Sequence, residues 1–578
     1  MRLPTLAPFT RWPPVPRKTP AMSNIRRVIA TVLAACVGCS IAAGVQAAPQ
    51  TVCTITVNSS DEKDAFRRHL PADRYQFVEL VERGRPDWLE SARRKGTRCD
   101  VLIISGHYDG GDYAGGNEFF SEHVDSHEYL PVDEMERVAC SEPDDGLFSR
   151  LKEVYLFGCN TLNPQALRSD PSEIARSLVQ SGHPAAEADR LARALSVRFA
   201  DSSRDRMRHI FRNVPAIYGF SSVAPLGPVA AAYLERYFQS GGTRDVGTGR
   251  AGARVLAHFP GRSLTLTRGL SDNDADAEYR RDLCKFVDDR LSARQKVDAI
   301  HRLLSRDMAE VRIFLDRLER YTASLDLTTR QTPEVAAALD SIASDTTAKT
   351  HYLQFVHASA APPVRARLID LATALDWLTP TERRGELMAM INDELAAPVV
   401  TAADVDLVCR LNANHELDAG NAAMSSSPAA SVGHAAIRAC LGSDSDHARV
   451  LQALTSAQDG DVQIAQVYVR HHPIDDVGEL RDVASGILQM PDSSAQVRAL
   501  DALAHHRLSD RETLETLTRL YPVAKSVNVQ RAIAGILIRS DYEQIASPEL
   551  IRALQDHRLK SPDGHDLIDV LIRRLQVS

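Results

Sequence analysis

The sequence predicts an α/β region with a mostly parallel sheet flanked by helices over residues 48–270, followed by an all-α region over residues 275–578. Three observations carry this expectation. Apolar, β-branched runs alternate with helical segments through the first half, the pattern of βαβ units. Three of the runs are continuously apolar, as strands buried on both faces are. After the polar break Ser271-Asp272-Asn273-Asp274 only helical periodicity remains.

Residues 1–47 read as an extension with an export signal. A basic stretch ending in Arg26-Arg27 precedes an apolar run from Val28 to Val45. Val45-Gln46-Ala47 then has the small-x-small form of a signal-peptidase site, so cleavage is expected after Ala47 or Ala48. Leu33-Ala34-Ala35-Cys36 offers the alternative of a bacterial lipobox, which would make Cys36 a lipid anchor. The apolar run is short and rich in Ala and Gly, and no later window of 18 apolar residues follows. The expectation is an exported chain, periplasmic or secreted, with no membrane span.

The elements follow in order. TVCTITV (51–57) is a strand, and 61–70 places Phe66 and Leu70 on one helical face. YQFVELV (75–81) is a second strand, and 86–95 begins a helix with Pro86 at its first position. DVLIIS (100–105), EVYLFG (153–158) and VPAIYGF (214–220) are the buried strands. Helices are expected at 173–182, 184–212 and 228–238, with closing strands VLAHF (255–259) and SLTLT (263–267). Helical segments recur near 461, 495, 527 and 565. Their irregular offsets resemble HEAT or armadillo repeats of about 40 residues, most clearly over 430–578. Residues 412–433 read as a polar loop. Stacked repeats of this kind would present a surface to a protein partner.

Composition narrows the function. The 578 residues hold 44% hydrophobic and 25% charged side chains, ordinary for a globular chain. Residues 1–47 hold six basic residues and no acidic ones. Without them 62 basic and 76 acidic residues remain, a net charge of −14. Such a balance offers no counter-charge to phosphate, so no nucleic-acid partner is expected. Seven cysteines also remain: Cys53, Cys99, Cys140, Cys159, Cys284, Cys409 and Cys440. In an oxidising compartment they allow three pairs and one free thiol. Cys53 and Cys99 sit at strand starts and are paired in this reading. Cys409 and Cys440 flank the polar loop. Cys140 with Cys284 would clamp the sheet region to the helical one, leaving Cys159 free.

That free thiol stands at a chemically pointed place. DVLIIS runs into Gly106-His107-Tyr108-Asp109-Gly110-Gly111, and EVYLFG runs into Cys159-Asn160-Thr161. Ligands of open α/β sheets lie beyond the carboxyl ends of the strands. If the two strands are parallel neighbours, His107 and Cys159 emerge at one edge. An imidazole there can generate the thiolate nucleophile, and backbone N–H groups near Tyr108, Gly110 and Gly111 can hold an oxyanion.

The strand–His, strand–Cys order resembles the caspase-like clan of cysteine peptidases, which includes the CHAT domains. Cys159-Asn160-Thr161 is similar to the Cys-x-Thr of CHAT domains, and 214–238 to their following strand and helix. The resemblance covers about 50–270. It implies peptide-bond hydrolysis with His107 as general base and acid and Cys159 as nucleophile, a protein or peptide substrate, and no cofactor. The chain departs from the clan in having Tyr108 where a Gly directly follows the His, and Leu162 where a Gly follows the CHAT threonine.

Two other readings compete. A degenerate peptidase fold could serve, with the repeats, as a periplasmic binding or scaffolding module, and a Tyr108 side chain crowding the substrate would favour it. A metal-dependent hydrolase could use His123-x-Asp125-x-His127 with Asp109 and Asp112, a cluster that otherwise reads as a polar surface loop. The preferred reading holds no metal. Gly241-Gly242 and Gly247-x-Gly249 are turn glycines, since no Lys-Ser/Thr follows. His471-His472 and His505-His506 read as helix-end residues.

Overall fold

A computed structural model describes residues 48–577 except 86, 109–116, 122–127, 142–145, 166–174, 176–177, 180–182, 200–201, 251, 260, 262, 275–276, 307, 360, 418–430, 507, 542–543 and 563–565. Residues Pro49–Ser578 form one compact unit.

Its first half is a six-stranded sheet. The strands are β1 (Gln50–Thr56), β2 (Tyr75–Glu79), β3 (Val101–Ser105), β7 (Glu153–Phe157), β8 (Ala216–Phe220) and β9 (Leu264–Thr267). They lie in the order β2-β1-β3-β7-β8-β9. All neighbours run parallel except β9, which is antiparallel to β8. Every residue of β3, β7 and β8 is buried, which is why these runs are apolar without alternation.

The pleat sends alternate residues to opposite faces. Leu102, Ile104, Val154 and Leu156 pack with Trp88 and Leu89 of α2 (Trp88–Arg94), and with Val132 and Met135 of α3 (Val132–Ser141). Val101, Ile103, Tyr155 and Phe157 pack on the other face, with Phe66 of α1 (Asp61–His69) and Leu234 and Phe238 of the 227–239 helix.

A second, three-stranded sheet was not foreseen from sequence. Strands β4 (His107–Tyr108), β5 (Glu118–Phe120) and β6 (Tyr129–Pro131) form an antiparallel meander. Strands of two or three residues carry no periodicity to read.

Two expectations need correction. Residues 253–258 are helical rather than a strand. Val255 is the only β-branched residue there, and β9 already occupies the edge of β8, so this short helix packs on the 227–239 helix instead. The stretch 184–212 is also two helices, α4 (Ala185–Phe199) and α5 (Ser203–Ile210). Ser202 starts the second, its hydroxyl accepting the Asp205 N–H at 3.1 Å.

From Ala277 onward the described elements are helical. Helices 459–471, 494–503, 527–539 and 567–577, the four recurring segments of the sequence, stack in succession. Helices 444–453, 477–489 and 511–520 form a second row against them. Two buried glutamines repeat one clip between the rows. The Gln496 amide donates to the Ile487 carbonyl at 3.0 Å, and the Gln530 amide to the Tyr521 carbonyl at 3.3 Å. Each reaches a carbonyl at the end of the preceding helical segment, where the last carbonyls lack full intrahelical pairing.

The helical half is fastened to the sheet half through α3. Arg317 donates to Glu136 at 3.0 Å, both buried, and Asp133 takes Arg206, Arg317 and Arg320. Cys140 on α3 is bridged to Cys284 on helix 277–287, with Cα atoms 5.2 Å apart. Cys53–Cys99 and Cys409–Cys440 are the other two bridges, at 5.6 and 4.9 Å. No helix among the described residues is long and apolar enough to cross a membrane.

These pairings predict that native, non-reduced protein lacking residues 1–47 alkylates at Cys159 alone, as peptide mapping would show. The Cys140–Cys284 bridge spans a sequence separation of 144. Replacing both cysteines by serine is expected to cost about 4–5 kcal/mol in denaturant unfolding, the loop-closure value for so long a loop.

Candidate active site

The parallel pairing of β3 with β7 runs in register from Val101↔Glu153 to Ser105↔Phe157. It continues one step further, because the Gly106 N–H donates to the Phe157 carbonyl at 3.0 Å. Each chain then has one glycine before its reactive residue: Gly106 before His107, Gly158 before Cys159. The two exits are packed backbone to backbone. A Cβ on Gly158 would lie 2.8 Å from the Gly106 carbonyl oxygen, and one on Gly106 would lie 2.3 Å from Val57 Cγ2. Only glycine fits at either place. His107 and Cys159 both emerge at the carboxyl edge of the sheet, where they line one cleft of about 70 Å³.

Beyond Cys159 the chain turns sharply through Asn160, at φ 58°, a left-handed conformation that asparagine tolerates. The turn is stitched to the end of β8. Asn160 N–H donates to the Ser222 carbonyl at 2.8 Å, and Leu162 N–H to the Phe220 carbonyl at 2.8 Å. The buried Thr161 hydroxyl donates to the Gly158 carbonyl at 3.2 Å and accepts the Phe220 N–H at 3.0 Å. Gly219 makes room for this, since a Cβ there would meet Thr161 Oγ1 at 2.7 Å. The threonine of Cys159-Asn160-Thr161 thus locks the cysteine turn to the next strand. Leu162 packs in the core beneath it.

Cys159 is in no disulfide and half-buried. Its sulfur accepts the Ala224 N–H at 3.3 Å, so the 221–226 loop after β8 holds the thiol at the cleft wall. Ala224, Pro225 and Leu226 of this loop line the cleft, and Leu226 is 66% exposed, giving the cleft an apolar lip.

His107 and Tyr108 lie on opposite faces of β4. His107 faces the cleft, its ring 5.6 Å from that of Phe120, its cross-strand partner. Tyr108 is 3% exposed and points into the core. It packs on Phe119, with its hydroxyl on Asn117 and Ser203. The tyrosine side chain therefore does not line the cleft. Strand alternation turns it away and ties β4 to α5.

Asn58 and Glu62 also line the cleft, and the sequence alone does not mark either. Glu62 reads in sequence as one of three acidic residues in the first turn of α1, where the helix dipole favours them. Nothing there marks it as 4% exposed. Burial raises its pKa above the usual glutamate value, opposed by its own backbone N–H and by the Ser59 hydroxyl, 3.3 Å away.

Gly110 and Gly111 lie outside the described residues, as do Asp109, Asp112, His123, Asp125 and His127 of the metal-hydrolase reading, and Cys36. Comparison with family models, curated proteins and solved structures finds no match for this chain.

Glu62 yields a signed prediction. A carboxyl whose folded pKa is raised adds stability below its unfolded pKa and loses it as pH rises through the folded value. Glu62→Gln is therefore expected to raise the thermal midpoint at about pH 7 and to leave it unchanged near pH 4. Scanning calorimetry at both pH values checks this.

Proposed function

We propose that this chain is an exported cysteine hydrolase of the caspase-like type that cleaves peptide bonds through a dyad of Cys159 and His107. One observation carries the reading: a thiol held out of every disulfide shares a cleft with an imidazole, at the carboxyl edge of two paired parallel strands. Two features of the sequence, the signal-like residues 1–47 and the even number of cysteines left once Cys159 is set aside, support export. The stacked C-terminal helices support a HEAT-like region that binds a protein partner or the substrate itself.

The chemistry follows from the two groups. His107 takes the thiol proton as the Cys159 sulfur attacks the scissile carbonyl, and a tetrahedral oxyanion forms. The C–N bond then breaks, and His107 returns the proton to the leaving amine. The acyl group stays on Cys159 as a thioester. Water, deprotonated by His107, attacks the thioester and releases the acid, and the proton goes back to the thiol. Backbone N–H groups at the two strand exits would hold the oxyanion, each worth about 3–4 kcal/mol in the transition state; those of Asn160 and Leu162 are already bonded to the end of β8. The Ala224–Leu226 lip suits an apolar stretch of peptide. With the Tyr108 side chain directed into the core, substrate crowding no longer favours the scaffolding alternative.

Cys159→Ala is expected to abolish labelling by a thiol-directed acyloxymethyl-ketone probe and all cleavage of a peptide library, with an unchanged unfolding midpoint. Cleavage that persists in the variant would refute the proposal.

A further inference from the structure

A second cluster of ligating side chains lies in the helical region, away from the cleft. Cys409 lies on helix 402–413, and Cys440 is the last residue of helix 432–440. His472 follows helix 459–471, which packs against both cysteine-bearing helices. One ligand atom from each of Cys409, Cys440 and His472 lies within 4.8 Å of the others, the only such group among the described residues. The cysteines are buried and the histidine half-buried. Tyr468 stacks on the imidazole, with centroids 4.8 Å apart and planes at 19°. The Nε2 of His472 is closed off from solvent and has no hydrogen-bond partner among the described residues. A buried polar atom left in this state calls for an explanation, and an unmade metal bond supplies one.

We propose that Cys409, Cys440 and His472 form a redox-gated zinc site. In the disulfide the two sulfurs are bonded to each other and carry no charge, so the site is closed. Exchange with a dithiol transfers two electrons and two protons. The S–S bond breaks, two thiols form, and the dithiol leaves as its own disulfide. One Zn²⁺ then displaces the two thiol protons and takes two thiolates and a neutral imidazole, with water in the fourth position.

Three features select zinc. Sulfur and nitrogen donors exclude calcium and magnesium. Two thiolates cancel the ionic charge, so the filled site is neutral in its buried setting. Tetrahedral zinc–thiolate bonds of about 2.3 Å need sulfurs ~3.8 Å apart, a small separation once the S–S bond opens. His506 provides the contrast. Its Nε2 is likewise buried and has no partner among the described residues, yet among them it belongs to no ligand group.

The test uses the full-length exported form, before and after dithiothreitol treatment under anaerobic conditions. Zn²⁺ binding is followed by competition with a chromogenic chelator. The oxidised protein is expected to bind no zinc and the reduced protein one ion per chain. His472→Gln keeps both cysteines and is expected to weaken binding by roughly a hundredfold. The Cys409→Ser/Cys440→Ser chain is expected to abolish it, and His506→Gln to bind as the unmodified protein does. Absence of zinc on the reduced protein overturns the proposal. So does equal affinity in His472→Gln, or zinc retained by the double serine chain, which would trace the metal to the cysteines of the other two bridges.

Discussion

The parallel hydrogen-bonded pairing of β3 with β7 is the constraint on which the rest of the molecule's chemistry depends. Its register ends at Ser105 opposite Phe157 and is prolonged by the Gly106 N–H. A slip of one residue would turn every side chain of a strand to the other face. It would also part His107 from Cys159. The register is secured by burial on both sides, since Leu102 and Val154 belong to one core and Ile103 and Tyr155 to the other. The glycines at both exits let the two turns approach as closely as their backbones allow, and the Thr161 hydroxyl ties the cysteine turn to β8.

The helical half bears on this arrangement through α3. The helix follows β6, the last strand of the small sheet that begins at His107, and it carries Asp133, Glu136 and Cys140, all three fastened to the helical half. Arg206 of α5 joins the same carboxylate as Arg317 and Arg320, while Ser203 of α5 meets the Tyr108 hydroxyl. Helix α5 thus makes polar contacts both with α3, beside the arginines of the helical region, and with the strand that carries the histidine.

Much of this was legible in the sequence, for physical reasons. Strands buried on both faces must be continuously apolar, so β3, β7 and β8 declare themselves. An odd count of seven requires one unpaired thiol, and with Cys53–Cys99, Cys140–Cys284 and Cys409–Cys440 all at bonding distance that thiol is Cys159. What was hidden depends on tertiary contact. Strands β4 to β6 are too short for periodicity, and residues 253–258 are helical because β9 occupies the sheet edge first. Glu62 looks like any acidic residue of a first helical turn until the fold buries it. The burial of the Tyr108 side chain follows from alternation along β4, a strand that sequence alone does not reveal.

The central claim is that His107 acts on Cys159. Its most direct measurement is the rate at which native protein is alkylated at Cys159 by iodoacetamide near neutral pH, compared with the His107→Gln variant. A reaction at least about tenfold slower in the variant is expected, with an unchanged unfolding midpoint, because the thiol loses the base that takes its proton. Equal rates in the two proteins would contradict it.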